Sequence, residues 1–366
     1  MRRSVALLAT AGALVAGCGG GAESSRPGAS EAAAVASPAP TASRTASPTP
    51  PTAAPTPEQR TPPTEEVTPA LTDDDAQLGV NELGRVLVVE WHKIQDVDGR
   101  WENSLATFRA QLRTLYDRGY RPVSAAEFIE GTFPIPAGTT PVLLTFDDSY
   151  KEHLFFGADA SSPHPDSAVG ILQAMEAEDP TWRARAVFSY YWPYPFRETD
   201  RELIERKLRY LVDNGFDLAN HTYTHDDLSE LSDADVVANL ARAEAELASV
   251  VGDDYRVRVM TLTQGIWPDN PDLALRGQHD GFGYEHDIAL EVGFMPTRSP
   301  HHLEYDPRSV QRVQAFVEEF DRWVAWLDEE PGRRFVSDGD PAVVTYPADW
   351  ADVAVPREGF AVRTYG

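Results

Sequence analysis

The chain has 366 residues, 42% of them hydrophobic, enough for one large domain or two ordinary ones. Its 58 acidic residues against 32 Lys and Arg leave a formal charge of −26. That excess repels nucleic acid and anionic lipid surfaces, which excludes both as main partners and leaves a neutral polymer compatible. A single cysteine, Cys18, excludes an intrachain disulfide.

The chain opens with Arg2 and Arg3, then an apolar stretch from Val5 to Ala16 that is too short to span a bilayer as a helix. Charge, short apolar run and the small residues Ala16 and Gly17 before Cys18 have the layout of a removable export signal. Val15-Ala-Gly-Cys18 resembles the bacterial lipobox, whose cysteine is lipidated and becomes the mature N-terminus. The resemblance implies a leader over residues 1–17 and lipidation at Cys18. It also implies a protein held by that lipid on a bacterial cell membrane, facing the wall or the exterior. Residues 18–78 are dominated by Gly, Ala, Ser, Thr and Pro, with almost nothing to bury, and are expected to form a disordered tether.

The folded domain is expected over 79–366. Arg85–Glu90 is a β-branched run of strand length that ends at Trp91-His92. Leu105, Phe108, Leu112 and Leu115 recur at helical spacing before Gly119. Pro141–Phe146 reads as a second strand, delivering Asp147 and Asp148 at its end, and Ala186–Tyr190 as a third. Leu203–Val212 has a helical pattern closed by Asn214-Gly215. A short strand, Phe216–Ala219, then leads into Asn220-His221. Asp233–Val250 is rich in Ala, Leu and Glu and reads as helix, and Val257–Leu262 returns to strand. Apolar strands alternating with helices indicate an α/β fold with a parallel sheet, and strand C-terminal ends are where such a sheet presents polar chemistry.

Two segments carry that chemistry: Thr145-Phe-Asp147-Asp148-Ser149 and His221-Thr-Tyr-Thr-His225. Adjacent carboxylates after an apolar strand repel unless a cation or proton separates them. Histidines four apart can point the same way on one turn. One carboxylate and two imidazoles suit Zn²⁺ or a similar divalent ion, and three protein ligands leave a position open for water.

In this order and setting the two segments resemble the motifs of the polysaccharide deacetylases, the family 4 carbohydrate esterases. Val88-Val-Glu-Trp-His92-Lys-Ile94 is similar to the opening strand of exported members, and Gly119–Ser124 to the segment that follows it. The resemblance can be followed over roughly residues 85–347 and implies an irregular (β/α) barrel. It implies that Asp148, His221 and His225 bind the metal, with Zn²⁺ expected and Co²⁺ or Ni²⁺ as alternatives. Asp147 would be the general base. The implied substrate is an N-acetylglucosamine-containing cell-wall or extracellular polysaccharide. Alternatives are O-acetyl ester removal from xylan or another glycan, and a weakly active glycan-binding lipoprotein.

The sequence departs from the family pattern in two places. The arginine that usually lines the groove beside the base is missing from Thr261–Pro268. Trp267 in that stretch is a candidate sugar-stacking face, and Arg298 a candidate substitute for the arginine. The late histidine that serves as general acid also has no counterpart, because no histidine follows His302. His286, His301 and His302 are the candidate replacements.

Overall fold

The computed structural model describes residues 77–158 and 161–366. The expected leader, Cys18 and nearly all of the expected tether lie outside the described residues. Nine strands form the main sheet. They are β1 (Arg85–Trp91), β2 (Tyr120–Pro122), β3 (Thr140–Phe146), β4 (Val187–Tyr190), β5 (Asp217–Asn220), β6 (Val259–Thr261), β7 (Ile288–Leu290), β8 (Thr297–Arg298) and β9 (Val313–Gln314). Seven helices complete within the described residues accompany them: α1 (Leu105–Asp117), α2 (Ala125–Glu130), α3 (Ala168–Glu178), α4 (Arg201–Asp213), α5 (Asp233–Val251), α6 (Asp272–Leu275) and α7 (Val317–Asp328).

The order across the sheet is β7-β6-β5-β4-β3-β1-β8, with β2 also on β3 and β9 also on β1. Every pair is parallel except β8 against β1. Parallel strands need both faces covered, which explains why β1 and β3 are apolar almost throughout rather than alternating. Leu87, Val89 and Trp91 face one way, into a core shared with Phe108, Leu112 and Leu115 of α1 and Leu208 and Leu211 of α4. Val86 and Val88 face the other way, into a second core with Leu143, Val187, Ala219, Val259, Ile288 and Leu290. One strand after another contributes to that inner core, as expected of a sheet that curls around its own side chains.

A short segment joins the two margins of the curl. Val310 bridges Leu290 of β7, while β9 pairs with β1 through Val89↔Val313 and Glu90↔Gln314. The architecture is the expected (β/α) barrel in irregular form. Helices α1 to α5 begin on serine or aspartate caps, including a Ser124–Glu127 capping box on α2 and Asp200 on α4, which satisfy N–H groups of their first turns.

An aromatic layer underlies the C-terminal ends of the central strands. Trp91 and Phe146 are stacked at 5.5 Å, and Phe146 and Phe188 at 4.8 Å. Each of the first two immediately precedes a polar residue of the site, so packing beneath the layer fixes where the polar residues emerge. Among the described residues, no helix is long and apolar enough to cross a membrane.

The start of β1 is set by close backbone approach. A Cβ at Gly84 would lie 2.4 Å from the carbonyl carbon of Arg334. Gly84→Ala is therefore expected to lower stability by about 1–3 kcal/mol, read from urea unfolding. An unchanged midpoint would show that this edge shifts freely.

Candidate active site

Asp147 and Asp148 follow β3, His221 follows β5, and His92 follows β1. All four line one cavity of about 460 Å³, together with His225 and Trp101. Tyr150 lies on its wall and is shared with a neighbouring cavity of about 750 Å³, so the site opens along the surface rather than ending in a closed hole.

The backbone bends sharply where the motif residues leave their strands. Asp148, Ser149, Thr222 and His225 all have positive φ, between 45° and 66°. Such conformations are costly for non-glycine residues and persist where surrounding contacts hold them, which is common at functional sites. Here Ser149 Oγ donates to the Ser189 carbonyl at 2.9 Å, and the Thr222 N–H donates to Asn220 Oδ1 at 3.0 Å.

These bends bring Asp148 Oδ1 to 3.3 Å from His221 Nε2 and 3.0 Å from His225 Nε2. The ligand atoms of Asp148, His221 and His225 all lie within 4.8 Å of one another. His221 Nδ1 sits 2.8 Å from the Thr261 carbonyl, which can only accept. The ring hydrogen is thereby placed on Nδ1, and the Nε2 lone pair faces the carboxylate. Asp148 Oδ1 is buried and lacks a hydrogen-bond partner of proper geometry. Lone pairs converging at this distance repel unless a positive charge lies between them, so the donor set fits a divalent cation. Protonation shifts carry the same message. Burial opposes charge on Asp148, but His221 and His225 hold it far below the usual carboxylate range. Burial also disfavours a charged His221, and the carboxylates of Asp148 and Asp147 outweigh it and raise its pKa.

Asp147 has a different environment. It is 1% exposed, and Arg312 clamps both oxygens, Nη1 to Oδ1 at 2.9 Å and Nη2 to Oδ2 at 2.8 Å. Ser189 Oγ adds a donor to Oδ1 at 2.9 Å. Burial raises the Asp147 pKa, but the charges of Arg312, His221 and His92 together outweigh it and bring it to about 2. Arg312 is fully buried, and its Nε donates to the Glu291 carbonyl at 2.6 Å. Glu90, also buried, is 3.4 Å from Arg312; burial, with the Asp147 charge, leaves its pKa raised against the opposing pull of the Arg312 guanidinium. His92 stands at the cavity wall with Nδ1 3.7 Å from Glu90 Oε1, and its ring meets Trp101 edge-on at 4.8 Å.

The other sequence candidates lie elsewhere, which corrects their expected roles. Arg298 sits opposite Arg85 at the N-terminal end of β1 and pairs with Glu304. Arg312, on the closing segment, is the arginine that meets Asp147. Trp267 donates to Glu291 at 3.1 Å and packs against the core beside α5, and it is not among the lining residues of the cavity. His286 is buried against Glu244, His301 against the Gly131 carbonyl, and His302 Nδ1 accepts from the Glu304 N–H. His92 is the histidine in the cavity besides the motif pair. Its position directly after a predicted strand was the available signal. Arg312 had none beyond being a lone cation between Val310 and Val313.

Residues 135–277 match the family model for polysaccharide deacetylase, and the chain carries a domain of that family. It is accordingly a hydrolase of the deacetylase type. Similar solved structures include a polysaccharide deacetylase from Bacillus cereus, at 20% identity over 66% of this chain and 68% of that one, with a TM-score of 0.49. IcaB from Ammonifex degensii is 18% identical over 66% and 97%, with a TM-score of 0.47. The deacetylase PplD of Streptococcus pyogenes is 16% identical over 63% and 92%, also with a TM-score of 0.47. No curated protein sequence matches the chain.

Arg312→Leu leaves Asp147 and Glu90 as two buried carboxylates without their cation. A loss of about 3–5 kcal/mol in urea unfolding is expected, with a smaller loss for Arg312→Lys, which keeps the charge but not the fork. Wild-type stability in the Leu variant would contradict the clamp.

Proposed function

We propose that the chain is a metal-dependent deacetylase that releases acetate from N-acetylglucosamine units of a cell-wall or extracellular polysaccharide. The observation that carries this reading is the meeting of Asp148, His221 and His225 in the same cavity as Asp147 and His92. Asp148, His221 and His225 would hold the ion, with Zn²⁺ favoured by a donor set of two imidazoles and one carboxylate. When bound, a divalent cation acidifies water towards a pKa of ~7 and polarises a carbonyl, which suits a base as weak as Asp147.

The chain's own residues supply the rest. Asp147 is ionised throughout the neutral range and accepts the proton of the attacking water, while Arg312 holds its carboxylate in one orientation. His92, at the end of the adjacent strand β1, returns a proton to the leaving nitrogen as the amide C–N bond breaks, giving acetate and a free amine. His92 in the cavity favours turnover over the alternative of a weakly active glycan-binding lipoprotein.

Acetate release from acetylated chitooligosaccharide by the Zn²⁺-loaded chain tests the reading. Asp147→Asn should cut kcat by at least ~10²-fold while keeping the metal, and His92→Ala by ~10²–10⁴-fold. Metal lost together with activity in Asp147→Asn would reverse the division of labour between the two aspartates. Faster release from O-acetylated xylan than from the chitooligosaccharide would move the substrate to esters.

His221→Ala and His225→Ala should each abolish tight Zn²⁺ binding. In the intact chain Zn²⁺ affinity should rise with pH, because the raised pKa of His221 makes protons compete into the neutral range. A pH-independent affinity between 6 and 8 would remove His221 from the ligand set.

The proposal extends to location. Arg2, Arg3, the apolar run and Cys18 support a lipid-anchored protein outside a bacterial cell membrane. Cys18→Ala should then shift the protein from membrane to soluble fractions, and unchanged fractionation would refute the anchor.

A further inference from the structure

His286 and Glu244 form a buried pair outside the active-site cavity, and neither takes part in the chemistry above. His286 Nε2 lies 2.6 Å from Glu244 Oε1, and the two side chains are 0% and 9% exposed. His286 Nδ1 lies 2.8 Å from the Ala274 carbonyl of α6. A carbonyl only accepts, so Nδ1 carries a hydrogen. The Nε2–Oε1 contact then needs a second proton, shared between the ring and the carboxylate. Glu244 Oε1 also accepts from Asn220 Nδ2 at 3.1 Å.

Asn220 links this pair to the motif loop. Its Nδ2 also donates to the Leu240 carbonyl at 3.2 Å, and its Oδ1 accepts the Thr222 N–H at 3.0 Å. A backbone N–H can only donate, so the amide orientation is fixed from both ends. Thr222, at φ 65°, is the first strained residue of the His221–His225 loop, and Asn220 directly precedes His221. Helix α5 therefore holds Asn220 directly at the root of the loop, and α6 reaches it through the His286–Glu244 pair.

We propose that Glu244 and His286 are positioning residues that hold the His221–His225 loop in its metal-binding conformation through Asn220. The proposal rests on the metal-site reading given above. Outer-shell partners of this kind commonly change metal affinity without touching the ion.

Zn²⁺ affinity of the purified chain, measured by competition with a chelating dye, tests it in Glu244→Ala, Glu244→Gln and the volume-matched pair Glu244→Leu with His286→Leu. Circular dichroism identifies the folded variants, and hydrogen exchange reads the Thr222 amide without metal. Glu244→Ala and the double Leu variant should each bind Zn²⁺ roughly 10- to 100-fold more weakly and lose protection at Thr222. Glu244→Gln, which can still accept from Asn220 and His286, should restore both. Wild-type affinity and wild-type Thr222 protection in either folded Glu244 knockout overturn the proposal, as does a Gln variant no better than Ala. If the unmodified chain binds no Zn²⁺, the metal reading falls, and Thr222 protection alone decides whether the pair holds the loop.

Discussion

Three carboxylates, those of Glu90, Asp147 and Asp148, sit at the ends of two adjacent parallel strands, the first two fully buried and the third mostly so. Buried like charges at such spacing cannot coexist without compensation. The chain resolves the conflict in two ways. Arg312 clamps Asp147 with a permanent guanidinium and stands beside Glu90, whose pKa burial raises, whereas Asp148 faces two imidazoles and leaves room for an external cation. One aspartate is thereby kept as a fixed, oriented anion, while its neighbour is left facing two imidazoles, as the proposed ligand role requires. Their side chains differ only in environment, and environment is what assigns their tasks.

The rest of the fold supplies rigidity for that separation. The Trp91–Phe146–Phe188 layer fixes the strand ends from below, and the turns after Asp147 and Asn220 hold strained backbone that isolated peptides would not retain. Packing at the strand ends, hydrogen bonding in the loops and charge balance in the pocket all favour one arrangement. Such agreement across levels is what lets a site keep energetically unfavourable local geometry.

Much of this was legible in the sequence because the relevant signals are local. Apolar strand runs, helical spacing and the two short motifs each lie within about ten residues, and the structure brings Asp148, His221 and His225 together as those motifs imply. What escaped reading is tertiary. Arg312 reaches Asp147 across 165 positions, and nothing in its neighbourhood distinguishes it from Arg298, which was the expected arginine and lies at the wrong end of β1. His92 was visible at a strand end, but its place beside Asp147 depends on the pairing of β1 with β3, which no local signal carries. The roles expected of His286, His301 and His302 failed for a related reason. Burial against carbonyls and a carboxylate cannot be inferred from a histidine's place in the chain.

The segment from Val310 to Gln314 joins the two margins of the curled sheet and also delivers Arg312. It lies well beyond residue 277, where the family match ends. A ribosome releasing this chain from its N-terminus has therefore emitted both motifs long before the guanidinium that steadies the base. Fragments that stop short of this segment hold the recognisable motifs around an uncompensated pair of acids. A fixed orientation of the Asp147 carboxylate is thus tied to synthesis of the chain as far as Arg312.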